Sequence, residues 1–205
     1  MVRTVETLGT SLAALAEREQ AFAGVIERFG PPEPRTGEPG ATTLLRTIVG
    51  QQVSVAAARS MWAKVEAAYG SPPDLSKLLD ASDEEMREAG MSRQKAGYLR
   101  SLAGLVLSGE LDLAHLPEDD EEAIAQLTMI KGIGRWSAEI YLLFAEGRRD
   151  VWPAGDLAVQ IEIGKLMGLE GKPTEKQLRE LAEKWRPHRG AAAVLAWHSY
   201  NAPPL

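Results

Sequence analysis

The residues with chemistry to offer lie in four places along the chain. Gly132 and Gly134 stand one residue apart within L-T-M-I-K-G-I-G-R-W-S-A-E-I-Y-L-L-F, residues 127–144. An apolar run ends just before them and a helix-forming run begins just after. A tight turn there presents consecutive backbone N–H groups at a helix N-terminus, which suits an anion such as a phosphate. A plain helix C-cap and αα turn would use the same glycines. Asp156 follows 22 residues after Gly134. Gly155-Asp156 ahead of an apolar helix reads as an N-cap, and the two roles are compatible, because a helix N-terminus stabilises a carboxylate that could also do charge-stabilising or base chemistry. Of the tryptophans, Trp62 and Trp185 fall on apolar helix faces and read as core. Trp136 sits in the first turn of the helix after the glycines, where its ring can reach a ligand. Electron-rich rings stack well on a flat, cationic group. Finally, Gln51 and Gln52 stand side by side at a helix junction, where neither has a core role; a solvent-exposed loop explains them equally well.

Composition narrows the chemistry further. The chain of 205 residues has no cysteine. Disulfides, cysteine-ligated zinc, iron–sulfur clusters and a cysteine nucleophile are therefore excluded. His115, His188 and His198 lack metal-ligand spacing. An apolar fraction of 44% and a charged fraction of 25% fit a folded soluble domain. No apolar run reaches the roughly eighteen residues of a membrane span. Met1-Val2-Arg3-Thr4-Val5-Glu6 lacks the apolar stretch of a signal peptide, so a cytoplasmic, nucleoid-accessible location is expected. The net charge of −6 argues at first against a polyanionic partner, but seven acidic residues fall within 110–125 with no Lys or Arg among them, and the remainder carries +1. The acidity is local, and the rest of the surface can face a polyanion.

The elements that must position these groups are helical throughout. Residues 4–29 predict one or two helices with Leu12, Leu15, Phe22, Val25, Ile26 and Phe29 inward. A Pro/Gly-rich loop, residues 30–40, follows. Leu44, Leu45, Ile48 and Val49 mark a short helix. Ser54 caps the next, whose inward face is Val55, Ala58, Trp62, Val65 and Tyr69. Ser82 with Glu85, and Thr174 with Gln177, are capping boxes. Ser92 opens a helix bearing Ala96, Leu99, Ala103 and Val106. Others carry Leu75 to Leu79; Ile124 and Leu127; Trp136, Ile140, Leu143 and Phe144; Val159, Ile163, Leu166 and Met167; Leu178, Leu181 and Trp185; and residues 189–200. About ten helices and no strand make the fold all-α.

Four motifs in order then resemble the helix-hairpin-helix DNA glycosylase superfamily, in its 3-methyladenine DNA glycosylase II branch. They are L-L-R-T-I-V-G-Q-Q-V-S-V-A-A-A at 44–58, M-I-K-G-I-G-R-W-S-A at 129–138, V-W-P-A-G-D at 151–156 and W-R-P-H-R-G-A-A-A-V-L-A-W at 185–197. The resemblance implies two helical subdomains with a DNA-binding cleft between them: residues 42–150, with the hairpin at 127–145, and residues 1–41 with 151–205. It makes Asp156 the catalytic aspartate and places Trp136, Trp197 and Tyr141 in the base pocket. Gly132, Gly134 and Ser137 hold phosphate through backbone N–H groups, flanked by Lys131 and Arg135. Gln52, beside Gln51, is the residue wedged into the duplex. The carbonyls of Thr128, Ile130 and Ile133 would bind a monovalent cation, Na+ or K+; no other cofactor is required.

Departures from the family pattern carry information. Bifunctional relatives have a lysine where this chain has Trp136, so a monofunctional enzyme is expected. The four-cysteine cluster of other relatives is absent. The residues before the first motif are too few for the N-terminal β-domain of longer members. The implied function is excision of alkylated bases from double-stranded DNA by a monomer. A non-catalytic DNA-binding module and a glycosylase/lyase are the alternatives.

Overall fold

The computed structural model describes residues 5–34 and 37–203. Thr4, the expected start of the first helix, and Arg35 and Thr36, within the expected loop, lie outside the described residues. Among the described residues the regular structure is entirely helical: α1 (Val5–Arg18), α2 (Gln20–Phe29), α3 (Ala41–Gly50), α4 (Val55–Tyr69), α5 (Leu75–Asp80), α6 (Asp83–Glu88), α7 (Arg93–Leu107), α8 (Asp120–Leu127), α9 (Arg135–Phe144), α10 (Leu157–Leu166), α11 (Glu175–Ala182), a 3-10 turn (Glu183–Trp185) and α12 (Arg189–Asn201). No helix among them is long and apolar enough to cross a membrane.

Short polar side chains fix where these helices begin. Both capping boxes form: Ser82 N–H donates to Glu85 Oε2 at 2.7 Å and Glu85 N–H to Ser82 Oγ at 3.2 Å, and Thr174 and Gln177 repeat the exchange. Ser54, Ser92 and Asp119 each accept the N–H three residues on. Each such cap contributes about 1 kcal/mol. Asp120, Glu121 and Glu122 occupy the first turn of α8, where the helix dipole favours anions. Part of the acidic block is therefore spent on starting a helix.

The chain divides into two compact units, Met1–Thr36 with Leu142–Leu205, and Gly37–Tyr141. The division falls within α9 rather than after residue 150. The reason lies in the last turn of that helix. Leu142 and Leu143 are buried, and α12 starts so close that a Cβ on Gly190 would lie 2.7 Å from Leu143.

The discontinuous unit is built on aromatic packing. Trp185 is fully buried, with Phe22 at 5.0 Å and Trp152 at 5.6 Å between ring centroids. Leu12, Leu15, Val25, Val159, Ile163, Leu178 and Leu195 close around them, while Ile26, Phe29, Leu166, Met167 and Leu181 are only partly buried at the margin. Burying each such side chain contributes about 1.5–3 kcal/mol.

His188 is buried in the same unit, its Nδ1 3.1 Å from Ser11 Oγ and 3.4 Å from Arg149 Nη2. A guanidinium can only donate, so Nδ1 acts as acceptor and the ring is neutral. Burial, then the charges of Arg149 and Arg18, hold its pKa below the ordinary histidine value, with Asp150 opposing. The unfolded chain therefore binds a proton that the folded chain refuses, and stability rises with pH in this range. The contribution is present above about pH 6.5 and is lost as pH falls below it. We expect the melting temperature to drop between pH 7.5 and 5.5, and His188→Asn, which keeps an acceptor but cannot titrate, to flatten that drop. Parallel pH curves for the two proteins would refute this account.

The continuous unit is organised by α7. Leu99, Leu102 and Ala103 are buried, alongside Leu44, Leu45, Ile48 and Val49 of α3 and Trp62, Val65 and Tyr69 of α4. Val55 departs from the expected face: it is 78% exposed. It is the first residue of α4, where the helix has not yet come under the core.

Candidate functional site

Within the continuous unit, α8 and α9 form a hairpin across residues 128–134. Ile130 and Ile133 are buried and anchor the turn from below, and Ile133 N–H donates to the Ile130 carbonyl at 3.0 Å. Two contacts tie the turn to α7. Lys131 N–H donates to Ser101 Oγ at 3.1 Å, and Gly132 lies against the Tyr98 ring so closely that a Cβ there would sit 2.2 Å from it. Gly132 also has φ +86°, so its glycine is required twice over. A Cβ on Gly134 would meet nothing within 4 Å. Among the described residues, the N–H groups of Gly132, Gly134 and Ser137 find no acceptor in the chain. The turn is thus rigid behind and open in front, with its donors unspent.

The two cations flanking the turn have different surroundings. Lys131 is exposed. Arg135 is tied down inside the hairpin, its Nη1 2.8 Å from Glu121 Oε2 and its Nε 3.0 Å from Glu139 Oε1. The bond to Glu121, against some desolvation, raises its pKa further. Its guanidinium staples α8 to α9, so part of the acidic block neutralises a charge that composition alone would assign to a polyanion. The carbonyls of Thr128 and Ile133 accept no backbone N–H among the described residues, while that of Ile130 accepts one. Neutral oxygens of this kind fit a hard monovalent cation. No cluster of His, Asp or Glu suited to a metal occurs among the described residues.

The glutamine pair separates on inspection. Gln51 is half-buried and its Nε2 donates to the Gly132 carbonyl at 2.7 Å. Gln52 is exposed, with φ +56°, a left-handed conformation that costs a non-glycine residue about 1–3 kcal/mol. Lys95 Nζ donates to the Val49 carbonyl at the end of α3, at 2.7 Å, and burial pulls its pKa below the usual lysine range. Tyr141 is buried, and its hydroxyl accepts the Gly40 N–H at 2.7 Å. Its position is that of a core residue bracing the start of α3, unlike Trp136, which is 49% exposed at the start of α9.

Within the discontinuous unit, the V-W-P-A-G segment before α10 is held from inside. Val151, Trp152 and Ala154 are buried, and Trp152 Nε1 donates to the Leu178 carbonyl at 3.2 Å. Gln160 Nε2 donates to the Ala154 carbonyl at 2.9 Å. The segment therefore delivers Asp156 to the N-cap of α10, where Oδ1 accepts the Val159 N–H at 2.9 Å. The same oxygen accepts Trp197 Nε1–H at 3.0 Å, from 41 residues away. Trp197 is itself fixed by Phe144, with ring centroids 5.7 Å apart. The sequence marks both residues, yet nothing in it pairs them. The carboxylate is held in one orientation by a backbone donor, an indole donor and a helix N-terminus, which is the preorganisation a charge-stabilising group needs.

Comparison with known proteins adds the family. Residues 45–188 match the model of the HhH-GPD superfamily of base excision DNA repair proteins. The chain is 30% identical over 190 residues to DNA-3-methyladenine glycosylase 1 of Schizosaccharomyces pombe, covering 91% of this chain and 83% of that protein. Among solved structures, DNA-3-methyladenine glycosidase of Bacillus halodurans superposes with a TM-score of 0.85 at 31% identity, over 94% of this chain and 89% of that one. The S. pombe 3-methyladenine DNA glycosylase in complex with abasic DNA superposes with a TM-score of 0.75 at 27% identity, over 92% and 95%.

Proposed function

The chain belongs to the HhH-GPD superfamily of base excision DNA repair proteins, and from that premise we propose that it is a monofunctional DNA glycosylase of the 3-methyladenine type. It excises alkylated bases from double-stranded DNA by hydrolysis of the N-glycosidic bond, in the cytoplasm and as a monomer. The observation that carries the reading is the Asp156 carboxylate, capped onto α10 and bonded to Trp197 Nε1–H.

The roles follow from chemistry. The unspent N–H groups of Gly132, Gly134 and Ser137 grip one phosphate, with Lys131 adding charge; such contacts position DNA without reading its sequence. The target base leaves the stack at a cost of a few kcal/mol, least for a damaged and weakly paired base. Gln52 fills the space left behind. The exposed indole of Trp136 stacks on the base, and a ring-alkylated purine, being cationic, gains roughly 0.5–2 kcal/mol from an aromatic face. As the bond between C1′ and the base nitrogen breaks, its electron pair goes to the base, which leaves neutral without a general acid. Positive charge develops at C1′, as in glycoside hydrolysis, and the Asp156 carboxylate stabilises it or takes the proton of the attacking water. Water adds at C1′, giving a free base and an abasic site. Trp136 has no amine with which to form a Schiff base, so the DNA strand stays uncut. The carbonyls of Thr128, Ile130 and Ile133 would hold Na+ or K+ beside the phosphate grip, neutralising part of its charge.

The test is an excision panel. Duplexes carrying single 3-methyladenine, 7-methylguanine, ethenoadenine or hypoxanthine are incubated with the protein and resolved with and without hot alkali. Strand scission appearing only after alkali, on the cationic lesions first, is expected. Scission without alkali would identify a lyase, and no release from any lesion would leave a DNA-binding module.

A further inference from the structure

The wedge loop and the phosphate-gripping turn are distant in sequence, yet one side chain joins them. Gln51 stands 81 residues from Gly132 and donates its amide to that glycine's carbonyl at 2.7 Å. Only the nitrogen end of the amide can make this bond, since the partner is a carbonyl. On one side of the bond is Gln52, exposed and left-handed. On the other is the turn whose Gly132 and Gly134 N–H groups find no acceptor among the described residues. Strained loop conformations persist only where the surroundings over-determine them. Here the loop is held at its start by Lys95 Nζ on the Val49 carbonyl, at its end by the Ser54 cap, and in the middle, among the described residues, by the Gln51 side chain. The turn is held behind by Tyr98 and Ser101 of α7, the helix that also supplies Lys95. Phosphate grip and wedge therefore share one frame, and Gln51 is its direct cross-strut.

We infer that Gln51 is a positioning residue for base extrusion: its amide locks the Gln52 loop to the Gly132 carbonyl, so that DNA held at the turn meets Gln52 already in its inserting conformation. The inference rests on the glycosylase reading for its catalytic consequence, but the bond itself belongs to the free protein.

Gln51→Ala, Gln51→Glu, Gln52→Ala and the Gln51/Gln52 double alanine variant are compared with the wild-type chain after equal melting curves confirm folding. Binding is measured on a duplex with a tetrahydrofuran abasic-site analogue, extrusion by 2-aminopurine fluorescence at the target, and excision by single-turnover rate. Gln51→Ala should bind nearly as tightly as wild type, lose most of the fluorescence rise, and excise roughly tenfold or more slowly, as misplacement of a positioned group predicts. Gln51→Glu, equal in size but lacking the donor, should do no better. The double variant should be little slower than either single one, because the two residues act as a unit. A wild-type rate and fluorescence rise in Gln51→Glu, or losses that multiply in the double variant, overturn the inference. Should the wild-type chain release no base at all, the glycosylase reading fails and amide hydrogen exchange decides this inference separately. Loss of protection in Gln51→Ala at both the bonded amide of position 51 and the bonded amides of Lys131 and Ile133 sustains it, and unchanged protection at either place overturns it.

Discussion

Asp156→Asn is expected to lower the single-turnover excision rate by about 100-fold to 10,000-fold, the range for removing a positioned acid–base or charge-stabilising group. Folding and DNA binding should survive. Asparagine caps a helix as well as aspartate does. Its Oδ1 can accept both the Val159 N–H and the Trp197 Nε1–H that Asp156 now accepts. The substitution therefore removes the negative charge while keeping both of these bonds, and affinity for an abasic-site duplex should hold or tighten slightly as repulsion from the phosphates falls. Asp156→Ala is the instructive contrast. It forfeits a cap of about 1 kcal/mol and strips Trp197 Nε1 of its acceptor, so a melting-temperature loss accompanies the activity loss. Trp197→Phe separates orientation from charge, because the ring against Phe144 remains while the donor to Oδ1 goes. Full excision by Asp156→Asn would remove Asp156 from the chemistry and leave it as a helix cap.

What could be read from sequence, and what could not, divides along the range of the interactions. Caps are local: Ser54, Ser82, Ser92, Asp156 and Thr174 each act on a backbone N–H three residues ahead, so residue type and spacing suffice. The helices they start are legible for the same reason, and the turn at Gly132 and Gly134 announces itself by its flanks. The bonds that assemble the site are long-range and depend on packing. Trp197 reaches Asp156 across 41 residues, and Gln51 reaches Gly132 across 81. No periodicity encodes either. The same limit explains the residues whose surroundings differ from a simple reading of type. Arg135 lies beside the turn in sequence, but Glu121 of α8 takes its guanidinium. Tyr141 shares its helix with Trp136, yet five residues on the helix has turned that side chain into the core. Val55 continues an apolar spacing one turn beyond the surface that covers it. Family resemblance names the residues; the fold decides which of them are tied and which are open.

The two glycines of the turn make that distinction measurable, because they should fail in opposite ways. Gly132→Ala places a Cβ at φ +86° and 2.2 Å from the Tyr98 ring. The ring cannot swing aside freely, since Gln94 Nε2 donates to its hydroxyl at 2.6 Å. Left-handed strain of about 1–2 kcal/mol adds to overpacking of about 1–3 kcal/mol. A chain of this size should then melt roughly 5–15 °C lower. Gly134→Ala meets neither obstacle: its Cβ points into open space and its φ is not left-handed. It should melt like the wild type. Its cost should appear only on DNA, where a methyl group beside an N–H donor keeps a phosphate oxygen from the roughly 2.9 Å that the bond requires. Affinity should fall at every salt concentration with the slope against salt unchanged, because no Lys or Arg has been removed. Wild-type binding by a well-folded Gly134→Ala would mean that the open donors of this turn hold no phosphate. A wild-type melting temperature for Gly132→Ala would mean that Tyr98 yields, and that the turn is less rigid behind than its contacts imply.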